Sequence, residues 1–296
     1  MHHVVFNPVA GRGKARASLD DLVRRLDQAG VGHSLHVTTG PGHATELAAS
    51  SPPGATVVAV GGDGTVHEVV AGLLRAEGGR RVTSRALGVV PVGSGDDFAF
   101  ALGLSRGDVT GAVARLAAGT RRRVDLAFVN GAPCANAFGT GFDAEVAHRL
   151  TLAPRFLKGA AAYLFAVLIS LHRVRPVGVE VTLDGERVYA GRSLLVAAQN
   201  GPRTGGSYLY SPEAQVDDGL LDVVIAGDLD LAGTLAVLPR VMKGTHLTHP
   251  QVYLHRGRSL SVAWSAPRYG HADGESAGRE RRFDVELEPG GLTVAG

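Results

Sequence analysis

Three stretches in the first hundred residues combine glycine with acid, hydroxyl or cation in a way that suits an anion. They are "NPVAGRGKA" from Asn7, "GGDGTVHE" from Gly61 and "PVGSGDDFA" from Pro91. Glycine lets backbone approach a ligand closely, and N–H groups at a helix start point at negative charge. In the first stretch Gly11, Arg12 and Gly13 precede Lys14, which can add a point charge. The spacing is not the GxxxxGK[ST] of a Walker A loop, and alone it reads equally well as an ordinary turn. In the second, Gly61, Gly62 and Gly64 free the backbone to form an N–H nest, and Thr65 suits a helix cap. Asp63 is the odd residue. It is either a plain cap or, beside phosphates, a carboxylate that needs a cation or accepts a proton, which makes it a candidate for indirect magnesium binding. The third repeats the design, with Gly93, Ser94 and Gly95 in the loop and Asp96 and Asp97 at the helix start. One such loop means little; three on one sheet edge point to a nucleotide phosphate site.

A fourth acidic stretch, "GHADGESAG", lies near the end and holds Glu275 between two strand-like runs. A simple β-turn would look the same. Phosphoryl transfer, however, needs positioning, charge stabilisation and a proton acceptor. An acid from a second domain could supply the last. The twelve histidines form no HxxxH or His/Cys cluster, which argues against zinc.

The elements that must position these residues change character along the chain. Up to about residue 120, β-branched runs alternate with helical periodicity: "HVVF", "ARASLDDLVRRLDQAG", "HSLHVTT", "GHATELAAS", "ATVVAVGG", "TVHEVVAGLLRA", "ALGVVPVG", "DDFAFALGL". That repeat predicts a parallel sheet covered on both faces, with ligands at the carboxyl ends of its strands. From Val124 strands follow one another with only two helical interruptions, around Glu145 to Leu171 and at "DLAGTLAVLPRVMKG". "LDGE" from Leu183 reads as a hairpin turn. The expected fold is α/β plus β: residues 1–123 a parallel α/β nucleotide-binding domain, residues 124–296 an antiparallel β-sandwich-like domain, the final strand a candidate to return to the first.

The chain has 296 residues, 45% hydrophobic and 20% charged, an ordinary globular composition. A net charge of +2 without a basic stripe interleaved with aromatics gives no reason to expect nucleic acid. The paired arginines, such as Arg121-Arg122-Arg123, read as solvated surface or as contact with anionic lipid. A lone Cys134 excludes an internal disulfide and reads as buried packing. The start carries no signal-peptide pattern, and the apolar run Gly159–Leu171 is too short to span a bilayer. These features predict a cytoplasmic protein. The segment "RFLKGAAAYLFAVLISLHRVR" reads first as a core helix and second as a lipid-facing one with snorkelling Arg155, Lys158, Arg173 and Arg175.

The order of the three glycine loops resembles the catalytic domain of the diacylglycerol and sphingosine kinase superfamily, most of all its soluble bacterial lipid kinases. "NAFGTGFDAEVA", "NGPRTGGSYLYSPEAQVDDGLLDVVI" and "GHADGE" continue the match over nearly the whole chain. The resemblance implies ATP and Mg2+ in a cleft between two domains. Phosphates would contact Asn7, Pro8, Gly11, Arg12, Gly13 and Lys14, and Gly61, Gly62, Asp63, Gly64, Thr65 and Glu68, with Thr38, Gly93 and Ser94 also at the nucleotide. Glu275 matches the general base, and Asp63 and Asp97 match acids of a magnesium–water network. In "QVDDGLL" the Gln215 and Leu220 carbonyls and the Asp218 carboxylate would hold a structural metal. Asp96 departs from the family's usual Asn and puts one more carboxylate near phosphate. The implied activity is ATP-dependent phosphorylation of a membrane-lipid hydroxyl, by default diacylglycerol to phosphatidic acid. The implied partner surface is anionic membrane, contacted peripherally and electrostatically, and a homodimer stays open. The alternatives are an NAD kinase, which shares the GGDG loop, and a catalytically silent lipid- or nucleotide-binding regulator.

Overall fold

The structure, a computed structural model, describes residues 1–152, 154, 160–173 and 175–296. It divides into two compact units: residues 1–126 with 215–219 and 288–296, and residues 127–214 with 220–287.

The first unit is the expected alternation. Strands β1 (His2–Phe6), β2 (His33–Val37), β3 (Thr56–Gly61) and β4 (Val82–Pro91) interleave with helices α1 (Leu19–Gln28), α2 (His43–Ala49) and α3 (Asp63–Glu77). Helices α4 (Asp97–Ala101) and α5 (Val109–Ala118) then lead to strand β5 (Arg121–Val129). Neighbours in the order β4-β3-β1-β2 all run parallel. Every residue of "TVVAVG" in β3 is buried, as a central strand flanked on both sides and covered on both faces requires. The helix expected from Ala15 begins later, at Leu19. Ala10–Ser18 instead forms tight 3₁₀ turns broken by three consecutive left-handed residues, Gly11 (φ 57°), Arg12 (φ 63°) and Gly13 (φ 84°).

The second unit runs β6 (Ala132–Cys134), β7 (Ala137–Gly141), α6 (Phe142–Thr151), α7 (Ala160–Arg173), β8 (Val177–Leu183), β9 (Glu186–Ser193), β10 (Leu195–Gln199), β11 (Leu221–Ala226), α8 (Leu231–Met242), β12 (Val252–Gly257), β13 (Ser259–Ala272) and β14 (Glu275–Ala295). The strand expected over "APCANAFGTG" is thus two strands, and the helix expected around Glu145 to Leu171 is two described helices. The pairs β7–β10, β10–β11, β11–β12, β13–β7, β13–β8 and β8–β9 are antiparallel. Residues 288–296, the end of β14, belong to the first unit, where β14 pairs in parallel with β4.

Side-chain alternation explains why β10 and β11 are buried throughout. Val196, Ala198, Val223 and Ile225 enter one core with Val181, Leu260, Val262, Trp264 and Phe283, the filling of a sandwich. Leu195, Ala197, Val224 and Ala226 enter a second core with Phe142 and Val146 of α6, Val167 and Leu171 of α7, and Val237 and Val241 of α8. One face of this sheet therefore packs on strands and the other on a layer of three helices. In α7 Ala166, Val167, Ser170 and Leu171 are buried while Leu168 is exposed. Arg155 and Lys158 lie outside the described residues, as does the side chain of Arg173; Arg175 is exposed and donates to the Leu171 carbonyl at 2.9 Å. No helix among the described residues is long and apolar enough to cross a membrane.

Candidate active site

In the first unit the loops after β1, β2, β3 and β4 leave the same edge of the parallel sheet, because the strands are neighbours running one way. Asn7 ties the first loop to the third. Its N–H donates to the Val60 carbonyl at 3.0 Å, its Nδ2 to Thr65 Oγ1 at 2.9 Å, and its Oδ1 accepts from Val9 N at 3.1 Å. Pro8 follows, and then the left-handed Gly11–Arg12–Gly13 run, with Arg12 and Gly13 exposed. The run is a left-handed turn closed on itself, with Gly13 N donating to the Val9 carbonyl at 3.0 Å. The Lys14 side chain is outside the described residues.

The loops after β3 and β4 touch backbone to backbone. Val92 N donates to the Gly61 carbonyl at 3.1 Å, and a Cβ on Gly93 would run into the Gly62 Cα. Only glycine permits that approach. Gly62, not Thr65, stands at the N-cap of α3; Thr65 is one turn inside it with Gly64, buried, its hydroxyl accepting from Asn7. Asp63 opens α3 yet serves another helix: its Oδ1 accepts from Asp97 N at 2.7 Å and Phe98 N at 3.1 Å, the first N–H groups of α4. Burial, and then the charges of Asp97 and Asp96, push the Asp63 carboxyl up to about 6. A Cβ on Gly95 would lie 2.5 Å from Asp63 Oδ2, so the loop glycine leaves room for that oxygen. Ser94 stands exposed at the loop's tip.

Asp96 has a local explanation. Its backbone is left-handed (φ 56°) and its Oδ1 accepts from Gly93 N at 2.9 Å, closing the loop on itself. Asn and Asp both tolerate that conformation and make that bond, so the substitution keeps the loop's shape and adds a charge.

Two other expected residues are brought close by packing. Thr38, at the end of β2, is buried and its N–H donates to the Phe6 carbonyl at 2.9 Å. Glu68 spends both carboxylate oxygens on Gly42 N (2.9 Å) and Ala44 N (3.1 Å), so it holds the start of α2 and, with it, the loop after β2.

The "QVDDGLL" segment is fixed by a residue that motif reasoning missed. Asp125 of β5 donates its own N–H to no side chain but to the Val216 carbonyl, at 2.6 Å; its Oδ2 accepts from Gly219 N at 2.7 Å and its Oδ1 from Gly290 N at 2.6 Å. Burial raises the Asp125 carboxyl, the two N–H groups lower it, and the charges of Asp218 and Asp217 raise it again. Gln215 and Asp218 are exposed, and Leu220 is half-buried and counted with the second unit. The cue in the sequence is an acid inside the apolar stretch VDLAFV that ends β5.

In the second unit Glu275 is the exposed first residue of β14, paired with Ala272 across the hairpin from β13. The residue missed here is Asp273. Its carboxylate accepts from Ala135 N (2.7 Å), Asn136 N (2.8 Å) and Ala137 N (3.0 Å), and its N–H donates to the Ala137 carbonyl at 2.8 Å. These bonds fasten the Asp273–Gly274 turn to the start of β7. Cys134 is buried, as expected, with its thiol 3.6 Å from Asp273 Oδ1. His271, buried, and the half-buried Asp143 at the start of α6 lie 3.3 Å apart.

Comparison with known proteins is consistent across sequence and structure. Residues 2–129 match the family model described as the diacylglycerol kinase catalytic domain, and residues 136–296 match the YegS C-terminal NAD kinase beta sandwich-like domain. The chain is 31% identical to the diacylglycerol kinase of Bacillus subtilis strain 168, over 93% of this chain and 89% of that protein. It is 28% identical to the diacylglycerol kinase of Staphylococcus saprophyticus, with the same shares covered. A crystal structure of a candidate diacylglycerol kinase from Bacillus anthracis superposes with a TM-score of 0.79 at 25% identity, covering 99% of this chain and 94% of that one. An NAD kinase from Archaeoglobus fulgidus, solved with ATP, shares the fold at a TM-score of 0.52 and 15% identity, covering 100% and 94%.

Proposed function

Since the chain belongs to the diacylglycerol kinase family and is a kinase, we propose that it transfers the terminal phosphoryl group of ATP to a hydroxyl of a membrane lipid. Diacylglycerol is the first candidate acceptor and phosphatidic acid its product. The observation that carries this reading is the sheet edge of the first unit, where a left-handed glycine turn follows β1 and two glycine loops in backbone contact flank a carboxyl at about 6.

In this reading the chain's work is mostly positioning and charge. The left-handed turn at Gly11 and Arg12 and the loops at Gly62–Gly64 and Ser94 would present backbone N–H groups to phosphate oxygens, while those of Gly13 and Gly93 are held by the Val9 carbonyl and Asp96 Oδ1. Asn7 and Thr65 lock two of those loops together, and Glu68 holds a third in place. Burial, and then the charges of Asp97 and Asp96, lift the Asp63 carboxyl, and a divalent cation reached through water would relieve the charge part. Among the described residues no three acids group closely enough to hold a metal directly. Asp63 and Asp97 would hold magnesium there, through water. Magnesium, when bound, neutralises charge that builds on the transferred group. A second ion would sit on the Gln215 and Leu220 carbonyls and the Asp218 carboxylate, with Asp125 keeping that loop in place. Glu275 takes the proton from the acceptor hydroxyl.

The test is a kinase assay with labelled ATP on a total lipid extract, with NAD as a parallel acceptor. Label in a phosphorylated lipid such as phosphatidic acid supports the reading. Label only in NADP would move the protein to the NAD kinase alternative, and no label in either would favour the silent regulator.

A further inference from the structure

We infer that the outer face of the helical layer in the second unit, centred on α8, dips into a lipid bilayer; the choice of partner rests on the lipid-acceptor reading above. Helices α6, α7 and α8 each bury one side against the same sheet. Their other sides carry Leu150 (40% exposed), Leu168 (56%), Leu231 (50%), Leu235 (51%) and Met242 (51%), and Leu152 (65%) stands just past α6. Among the described residues of the second unit, the other large exposed apolar side chains are Tyr253 and Leu254 alone. Single exposed leucines are ordinary on any surface, but gathering on one layer is not.

Helix α8 has the most regular pattern. Thr234, Val237 and Val241 are buried. At the 3.6 residues per turn of a helix, Leu231, Leu235 and Met242 fall within about 40° of one another, forming one stripe. Its polar partners are asymmetric. Arg240 and Lys243 are exposed at its C-terminal end, and the sequence "LAGTLAVLPRVMK" contains no acid. Of the two acids before it, Asp230 caps the helix through Gly233 N at 2.7 Å and Asp228 pairs with Arg192 at 3.1 Å. By the same spacing Lys243 flanks the stripe about 100° round the helix and Arg240 lies about 160° from it, so one cation borders the apolar side, as at the boundary between acyl chains and anionic headgroups.

A second copy of the chain is the weaker occupant. The six side chains offer on the order of 500 Å², against about 800 Å² per partner in a stable dimer.

The experiment is co-sedimentation of the whole protein with vesicles of phosphatidylcholine and phosphatidylglycerol, without ATP. The wild type should bind, and part of that binding should survive high salt. Leu231→Gln with Leu235→Gln should weaken partition roughly tenfold or more, because binding scales with the apolar area inserted. Arg240→Gln with Lys243→Gln should remove only the salt-sensitive part. Both pairs are surface positions, so melting temperatures should match the wild type; if the leucine variant melts early, Leu168→Gln provides the same test from α7. Unchanged partition of the leucine variants would overturn the inference. So would a dimer in light scattering that those variants dissociate, which would assign the face to a second copy. Because no turnover is read, a protein that sediments but phosphorylates no lipid refutes the acceptor and leaves the surface, whereas one that phosphorylates lipid yet never sediments refutes the surface alone.

Discussion

Asp63 and Asp273 each precede a glycine in a short acidic turn, and each carboxylate collects backbone N–H groups from another element of its own unit. Their settings differ. Asp63 takes two N–H groups from the start of α4, and burial, and then the charges of Asp97 and Asp96, raise its carboxyl to about 6. Asp273 takes three from residues 135–137 and leaves the exposed Glu275 two positions on. The first acid is left under electrostatic stress in a place where a cation would relieve it. The second is an anchor that fastens the turn before Glu275. In the proposed reading the same dipeptide marks a chemical group in one unit and a mechanical one in the other.

That contrast breaks down or sharpens under substitution. The largest effect is expected at the presented residue. Glu275→Gln should lower turnover on the order of a hundredfold, as loss of a general base does, with ATP binding and melting temperature unchanged. A variant keeping more than about a tenth of the rate removes Glu275 from that role. Next comes the anchor. Asp273→Ala strands three buried N–H donors and should cost about 2–3 kcal/mol in chemical denaturation. It should also lower kcat more than it raises KM, because it moves Glu275 without touching the nucleotide loops; equal changes in both would make Asp273 a purely structural residue.

Asp63→Asn should give opposite signs in two measurements. Asn keeps the acceptor oxygen toward Asp97 and Phe98 but removes the charge, so the rate and the magnesium titration should both suffer. Stability should rise. A carboxyl whose folded value, about 6, lies above its unfolded value gains a proton on folding. Its ionised form therefore destabilises the fold fully above pH 6, and the penalty fades as the pH falls through 6 toward 4. The variant should gain on the order of 2 kcal/mol at pH 8 and little at pH 4, read from denaturation at both. An equal gain at both pH values would mean that the charge is not the cause. The smallest effect is expected at Asp218→Ala, about 1 kcal/mol of stability through loss of an ion that binds only the folded state. Chelator should lower the wild-type melting temperature and leave the variant's alone; no chelator effect on the wild type dismisses the ion.

The part of this legible in the sequence is the part set by local rules. Alternating strand and helix periodicity predicts the first unit, and the glycine loops announce themselves through spacing. What sequence does not show is which donors a carboxylate meets. Asp63 looks like a cap for its own helix and instead caps α4, thirty-four residues on. Asp125 gives only the weak cue of an acid in the apolar second half of β5, and its partners Gly219 and Gly290 are distant in the chain. Glu68 sits inside a motif that suggests phosphate contact, yet its carboxylate is taken by Gly42 and Ala44. The 3₁₀ start of the first helical segment was hidden for a related reason: periodicity does not register the backbone conformation of Arg12 between two glycines.

Strand β14 has a consequence for how the molecule is made. The first unit consists of residues 1–126 together with 215–219 and 288–296. A ribosome therefore delivers the body of that unit early and its last strand only after every other part of both units has emerged. Until then the β4 edge, where Leu292 and Val294 will pair with Val82 and Leu87, offers open N–H and C=O groups to any passing strand. Vectorial synthesis thus leaves this unit waiting for a non-local closure of the slow, high-contact-order kind. A nascent chain halted before residue 288 should be protease-sensitive in its first unit even though nearly all of that unit's sequence is already outside the tunnel.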